Sequence, residues 1–383
     1  MDKQNVTSHD SLESVLPPPS KPKGRNSSIE ILRLLAMLLI VFDHMVTTHH
    51  NAGVWGGWIY GQPLTVKRIA FESLSLGRVG VVIFFAISAW FLCERSGDLH
   101  DSLKRVWLLE REVLFWSVAL LASQIVLAHP VSAGDVLRSL MPLCSGLWWY
   151  PSSYALFILL CPFLTDGLRK LGQNIHRNLC GLLLVWLVLR LIPWFSLDLS
   201  TSGNDVAGML ILYVLISYLR WYMEIPSRRS SWIMIIGGYA FLFVSQLAAA
   251  LAANSASNAA EWGSYYRSGW QLPMVAIGLG IVFVALRHEF HSVIVNYCAG
   301  SALSIYLITC HPNLFTFLWT KIVDFTTFYN RPFSFFYAIG LSIAVMAACI
   351  LADSVRRLIF RFTIDRHKGE LFEKIWQCSI GKI

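Results

Sequence analysis

Four ionisable side chains fall within one apolar stretch near the start of the chain: Glu30, Arg33, Asp43 and His44. Such groups are costly inside a bilayer, and by default they mark a functional site. Arg33 and His44 are 11 positions apart. That is close to three helical turns, so on a helix both point the same way, with a rise of roughly 16 Å between them. Glu30, three residues before Arg33, shares its stripe and can pair with it. A guanidinium's planar fork binds phosphate bidentately, and an imidazole, with an ordinary pKa of about 6.5, suits proton transfer. The pattern fits an anionic donor held at Arg33, whose flexible arm reaches His44; the phosphopantetheine arm of coenzyme A is about that long. A neighbouring carboxylate can orient a catalytic histidine or stabilise its cation, which makes Asp43 a candidate. Adjacent helical residues diverge by about 100°, however, so direct pairing of Asp43 with His44 is not expected. The plainer reading of His44 is a packing histidine bonded to a nearby hydroxyl. His49 and His50 follow, but the spacing to His44 is not i,i+4 and no carboxylate completes a ligand set, so they read as interfacial histidines and no metal is expected.

The elements that must position these residues are written in composition. Hydrophobic residues make up 55% of the 383 positions, charged residues 14%, and mean hydropathy is +0.55. A soluble domain carries roughly 25% charged residues, so this chain is expected to face lipid. The expected fold is all-α: a polytopic integral membrane protein with about ten transmembrane helices. The apolar spans are 29–48, 74–93, 112–128, 147–165, 179–195, 207–223, 232–253, 270–286, 299–319 and 333–352. Residues 1–28, with Pro17-Pro18-Pro19, read as a disordered cytoplasmic tail, 29–360 as the transmembrane domain, and 361–383 as a basic cytoplasmic tail.

The net charge of +8 is not that of a nucleic-acid reader, since no basic stripe interleaves with aromatics. With the N-terminus cytoplasmic, most of the 31 basic residues fall on the inner side, among them Lys104, Arg105, Arg111, Arg169, Arg228, Arg229, Arg356 and Arg357. That is the positive-inside pattern for ten spans and two cytoplasmic termini. The eight cysteines are scattered without a CxxC pair and read as small buried hydrophobes. No internal repeat is visible, which weakens a transporter built on inverted halves.

The run from Ile29 through Arg33 to Asp43-His44 resembles the first helix of the acyltransferase family 3 membrane proteins. That family has an arginine, ten intervening residues and a histidine there, usually after an acidic residue at the Glu30 position. Gly80-Val81 through Phe84-Phe85 to Ser88-Ala89 is similar to the family's second-helix signature, with Ala89 in place of a glycine. Trp148-Trp149-Tyr150 resembles the start of its fourth helix, and Ser304-Ile305-Tyr306-Leu307 its ninth. There Thr309 stands where many members have a histidine, and His311 comes two residues later. The basic pair three apart expected after the second helix is incomplete: Leu108 holds the second position if Arg105 is the first.

The resemblance implies a membrane O-acyltransferase. It would move an acyl group, acetyl in the usual case, from cytoplasmic acetyl-coenzyme A to a hydroxyl of an envelope carbohydrate or its lipid-linked precursor, in a bacterial plasma membrane. Arg33 with Glu30, and the basic loop carrying Lys104, Arg105 and Arg111, would hold the donor. His44 would act as general base or carry the acyl group transiently. Acceptor contacts would fall to Arg78, Ser88, Trp149, Tyr150 and His311. Plainer readings stand beside these: Arg78 as a snorkelling arginine, Ser88 as a small packing residue, Arg190 facing either the cavity or the interface. The rival functions are a flippase for a lipid-linked sugar and an assembly partner in envelope polysaccharide synthesis.

Overall fold

The structure is a computed structural model that describes residues 25–47, 59, 62–63, 65–95, 98–192, 206–252, 265–267, 269–365 and 369–380. The expected tail up to 24, and His49 and His50, lie outside the described residues. All regular structure among the described residues is helical. The elements are α1 (Ser27–Thr47), α2 (Val66–Leu74), α3 (Gly77–Leu92), α4 (Leu99–Val126), α5 (Ala133–Leu140), α6 (Trp149–Leu189), α7 (Val206–Tyr222), α8 (Arg228–Ala252), α9 (Leu272–Ala285), α10 (Val293–Ala299), α11 (Ala302–Thr309), α12 (Pro312–Phe317), α13 (Thr326–Tyr329), α14 (Ser334–Phe362) and α15 (Glu370–Ile380). A π-helical turn, Leu318–Ile322, extends α12.

Four described helices are long and apolar enough to cross a membrane, or five if the bent pair 293–309 and 312–329 is one span. The distribution of polarity identifies the solvent. Helix α8 exposes Ile233, Ile236, Val244 and Leu251 while burying Ser231 and Gln246. Helix α14 exposes Phe336, Ile343, Leu351 and Leu358 while burying Ser342, Asp353 and Arg356. Apolar groups outward and polar groups inward is the arrangement of a bundle surrounded by lipid. Helix α1 is not among the long apolar helices; Glu30, Arg33 and Asp43 interrupt it.

The predicted apolar segments fall on helices, with three differences. The segment expected at 112–128 begins 13 residues earlier, at Leu99. Asp98 caps it, its side chain accepting from the His100 N–H, and no Pro or Gly follows before Val126. Lys104, Arg105 and Arg111 therefore stand on a helix, and the expected basic loop is corrected. The fourth and fifth segments are one helical element, broken at Gly172, whose φ of 73° is left-handed backbone open to glycine. The ninth segment bends by 84° between α11 and α12. Pro312 supplies no N–H there, and the freed carbonyls are taken by tryptophans: Trp148 Nε1 donates to Leu307 O at 3.2 Å, and Trp319 Nε1 to Thr309 O at 3.2 Å. Buried backbone acceptors in a bilayer require such partners.

Helices α1 and α3 pack along a small-residue seam. A Cβ at Gly77 would lie 2.6 Å from Asp43 Oδ2, and one at Gly80 would strike the Ala36 carbonyl oxygen and approach Ile40 at 2.9 Å. Close approach of backbones through small residues is how helices associate in lipid. The seam sets α3 against α1 at the level between Arg33 and His44.

Candidate active site

Arg33, Met37, Ile40 and His44 follow one another at spacings of four, three and four along α1, which places them on one face. Met37 and Ile40 line a small cavity completed by Val81 and Phe84 of α3, Tyr150 of α6, and Leu303 and Tyr306 of α11. The cavity is thus bracketed by Arg33 at one end of the stripe and His44 at the other. On α11, Leu303, Tyr306 and Cys310 repeat the same i, i+3, i+7 spacing, Cys310 standing at the helix C-cap. The two stripes converge where Nδ1 of His44 meets Sγ of Cys310 at 3.4 Å. The edge of the His44 ring packs on Phe315, with centroids 5.3 Å apart.

Arg33 pairs with Glu30, Nη1 to Oε1 at 3.0 Å, as its spacing predicts. Glu30 is buried and also faces Arg25 at 3.4 Å. Asp43 turns away from His44. It packs on Gly77 and lies 4.0 Å from Arg267, whose guanidinium also bonds the Ser75 carbonyl. The divergence expected from helical geometry holds.

Arg78 stands one position beyond Gly77 and lays its guanidinium over the Trp149 ring at 5.2 Å. Trp149 meets Tyr150 edge-on at 5.5 Å, and Tyr150 stacks on Tyr154 at 5.9 Å. The buried Tyr150 hydroxyl has no protein partner. Ser88 donates to the Phe84 carbonyl of its own helix at 3.3 Å and lies within hydrogen-bonding reach of Tyr154. His311 is buried on the face of α12's first turn that meets Trp148, ring centroids 5.4 Å apart, and neither ring nitrogen has a protein partner. The residue that reaches His44 from this segment is its neighbour Cys310. Arg190, at the end of α6, lies over Trp186 at 5.0 Å.

The three basic residues of α4 separate. Lys104 Nζ donates to Glu373 Oε1 at 2.6 Å, and His100 Nε2 meets the other oxygen at 2.9 Å; both contacts come from α15. Lys104, then His100, hold the Glu373 carboxyl below its ordinary range. Arg111 pairs with Asp365. Arg105 instead lines a second small cavity with Arg95, Asp101, Ser102, Cys161 and Thr165. Arg105 and Arg33 both lie within electrostatic range of Tyr154.

A buried ionic cluster was not singled out from the sequence. Asp353 accepts from Arg356 Nε at 2.6 Å and pairs with Arg357 at 2.9 Å. Ser304 Oγ meets Asp353 at 2.6 Å and Glu112 at 2.7 Å, and accepts from Trp116 Nε1 at 2.8 Å. The cluster ties α4, α11 and α14 together behind the Leu303–Tyr306 stripe. The signal for it was Asp353 three and four residues before two arginines in an apolar helix. Among the described residues no group of three or more His, Cys, Asp or Glu side chains is placed to hold a metal ion.

No curated protein and no solved structure matches the chain. A family model described as an acyltransferase domain, Acyl_transf_3, matches residues 26–352, nearly the whole length and all of the elements that line both cavities, so the chain belongs to the acyltransferase 3 family of membrane acyltransferases.

Proposed function

We propose that this chain moves an acyl group, acetyl in the first instance, from cytoplasmic acyl-coenzyme A to a hydroxyl of an envelope glycan or its lipid-linked precursor. In this reading it is an O-acetyltransferase of ten spans in the bacterial plasma membrane, with both termini cytoplasmic. The observation that carries the reading is the cavity bracketed by Arg33 and His44 on one face of α1.

The donor's phosphates meet Arg33, Arg105 and Arg95 at the cytoplasmic end. Lys104 and Arg111, already paired with α15 and Asp365, take a lesser part. The arm of the donor runs past Met37 and Ile40, where apolar walls exclude water and strengthen electrostatic contacts at the reacting centre. His44 accepts the proton of the attacking group and returns it to the departing thiolate, a role worth about 10²–10⁴ in rate. Arg78, Trp149 and Tyr150, beside that end of the cavity, present a cation and ring faces to a sugar acceptor; Ser88 lies deeper and packs.

The test uses purified protein in liposomes containing a lipid extract of the host envelope, with acetyl-coenzyme A outside and free coenzyme A measured. Wild type releases coenzyme A; His44→Ala and Arg33→Ala do not, Arg33→Ala losing donor binding and His44→Ala keeping it. Equal release by His44→Ala and wild type ends the proposal. A flippase would show no dependence on the donor at all.

A further inference from the structure

The Cys310–His44 contact has the geometry of a nucleophile and its base. The thiol and the imidazole extend two facing stripes: Met37 and Ile40 of α1 and Leu303 and Tyr306 of α11 line one cavity, and one turn further along each stripe His44 meets Cys310. A thiol at that convergence meets whatever the cavity delivers to His44. Cys310 also stands at the 84° break, as the C-cap of α11, where Pro312 forbids the helix to continue. Thr309 Oγ1, at 3.7 Å from the sulfur, completes the set of polar neighbours. Activation of a cysteine by an adjacent histidine is a general route to covalent acyl transfer.

We propose that Cys310 carries the acyl group as a thioester between donor and acceptor; the inference rests on the acyltransfer reading above. In the first step Nδ1 of His44 takes the Cys310 thiol proton, and the sulfur attacks the thioester carbonyl of acyl-coenzyme A. A new C–S bond forms, the bond to coenzyme A sulfur breaks, and the departing thiolate takes the proton from the imidazolium. One thioester replaces another, so the step is close to isoenergetic. In the second step His44 takes the proton of the acceptor hydroxyl, the oxygen attacks the Cys310 thioester, the C–S bond breaks, and the proton returns to the Cys310 sulfur. The acyl group thereby passes from donor to acceptor on the protein, and the two need not meet.

The experiment is single-turnover labelling with acetyl-labelled acetyl-coenzyme A in the same liposomes, followed by denaturation and peptide mass spectrometry. Wild type retains one acetyl group on the peptide bearing Cys310, removed by neutral hydroxylamine as a thioester is. Cys310→Ala and His44→Ala lose the label while still binding acetyl-coenzyme A, which shows that they are folded. Cys310→Ser keeps a label that resists neutral hydroxylamine. Coenzyme A release by wild type without label on the protein, wild-type turnover in Cys310→Ala, or label on the His44 peptide overturns the carrier role and leaves the acyltransfer reading standing. Absence of both donor binding and coenzyme A release in wild type overturns that reading and the carrier role with it.

Discussion

Arg33 and His44 occupy one face of α1, and the space between them is bounded by Met37 and Ile40 of the same face and by Tyr150 and Tyr306 from two other helices. A path of that shape should be sensitive to bulk at its middle and indifferent to it at its ends. Ile40→Trp fills the cavity, at a packing cost of about 1–3 kcal/mol. Turnover of acetyl-coenzyme A falls sharply, while adenosine 3′,5′-bisphosphate, which carries phosphates but no arm, binds as to wild type. Competition binding with the two ligands checks this, and equal loss of both would place the obstruction elsewhere.

The α1–α3 seam makes a prediction about stability. Gly80 faces the Ala36 carbonyl, a backbone atom that cannot swing aside, so Gly80→Ala forces the helices apart. A loss of about 1–3 kcal/mol is expected, as for overpacking generally, together with loss of activity as Arg33 and His44 shift against α3. Gly167, in α6, has nothing near its added methyl. Gly167→Ala should be neutral or stabilising by up to about 1 kcal/mol through helix propensity. Thermal melts in detergent distinguish the two.

The cluster behind α11 predicts an asymmetry. Asp353 is fully buried and neutralises Arg356 and Arg357. Asp353→Leu leaves the buried Arg356 with Glu112, at 3.4 Å, as its remaining carboxylate and removes the carboxylate from the half-buried Arg357, a loss that approaches the roughly 3–5 kcal/mol of a broken buried pair. Adding Arg356→Met should recover part of that loss, because the double variant no longer buries the uncompensated charge. A double variant less stable than Asp353→Leu would show that the cluster is held by something other than charge pairing.

The Glu373 carboxylate adds a partly exposed ion pair to the aromatic packing of α15 on α4. Its folded-state pKa is depressed by Lys104 and His100. The stability it contributes is therefore fully present above the unfolded carboxyl value of about 4.3 and is lost as pH falls through the lower folded value. Hydrogen exchange over 370–378 should stay slow from neutral pH down to about 4 and accelerate below it. In Glu373→Gln, where Phe372 and Trp376 still pack on His100 and Trp107, it should be modestly faster at neutral pH, with no acid transition.

Much of the bundle was legible because lipid imposes long apolar runs, and the predicted apolar runs fall largely on helix among the described residues, of which four or five are long and apolar enough to cross a membrane. What the runs could not show is where charged turns extend a helix or small breaks divide one. The first 13 residues of α4 carry Asp101, Lys104, Arg105, Glu110 and Arg111, so apolarity alone started the helix near residue 112, whereas Asp98 begins it at Leu99. The Arg33–Glu30 pair and the divergence of Asp43 from His44 follow from residues on one helix, and spacing sufficed. Cys310 could not be found that way. Its meeting with His44 depends on a bend of the chain 266 positions away, and a lone cysteine in an apolar run looks like any other small hydrophobe. Arg105 and Lys104 are adjacent in sequence, but α15 and the second cavity separate their roles.

The claim at the centre, that the donor's arm lies along the Arg33–His44 face of α1, can be tested by protection of a cysteine placed there. Met37→Cys puts a thiol on the cavity wall between the two. Its rate of alkylation by N-ethylmaleimide is measured in liposomes by mass spectrometry of the peptide that carries it, with and without ligand. Acetyl-coenzyme A should slow alkylation strongly, and adenosine 3′,5′-bisphosphate at saturation should not. Alkylation at the same rate with and without acetyl-coenzyme A, in protein that demonstrably binds it, would contradict the account.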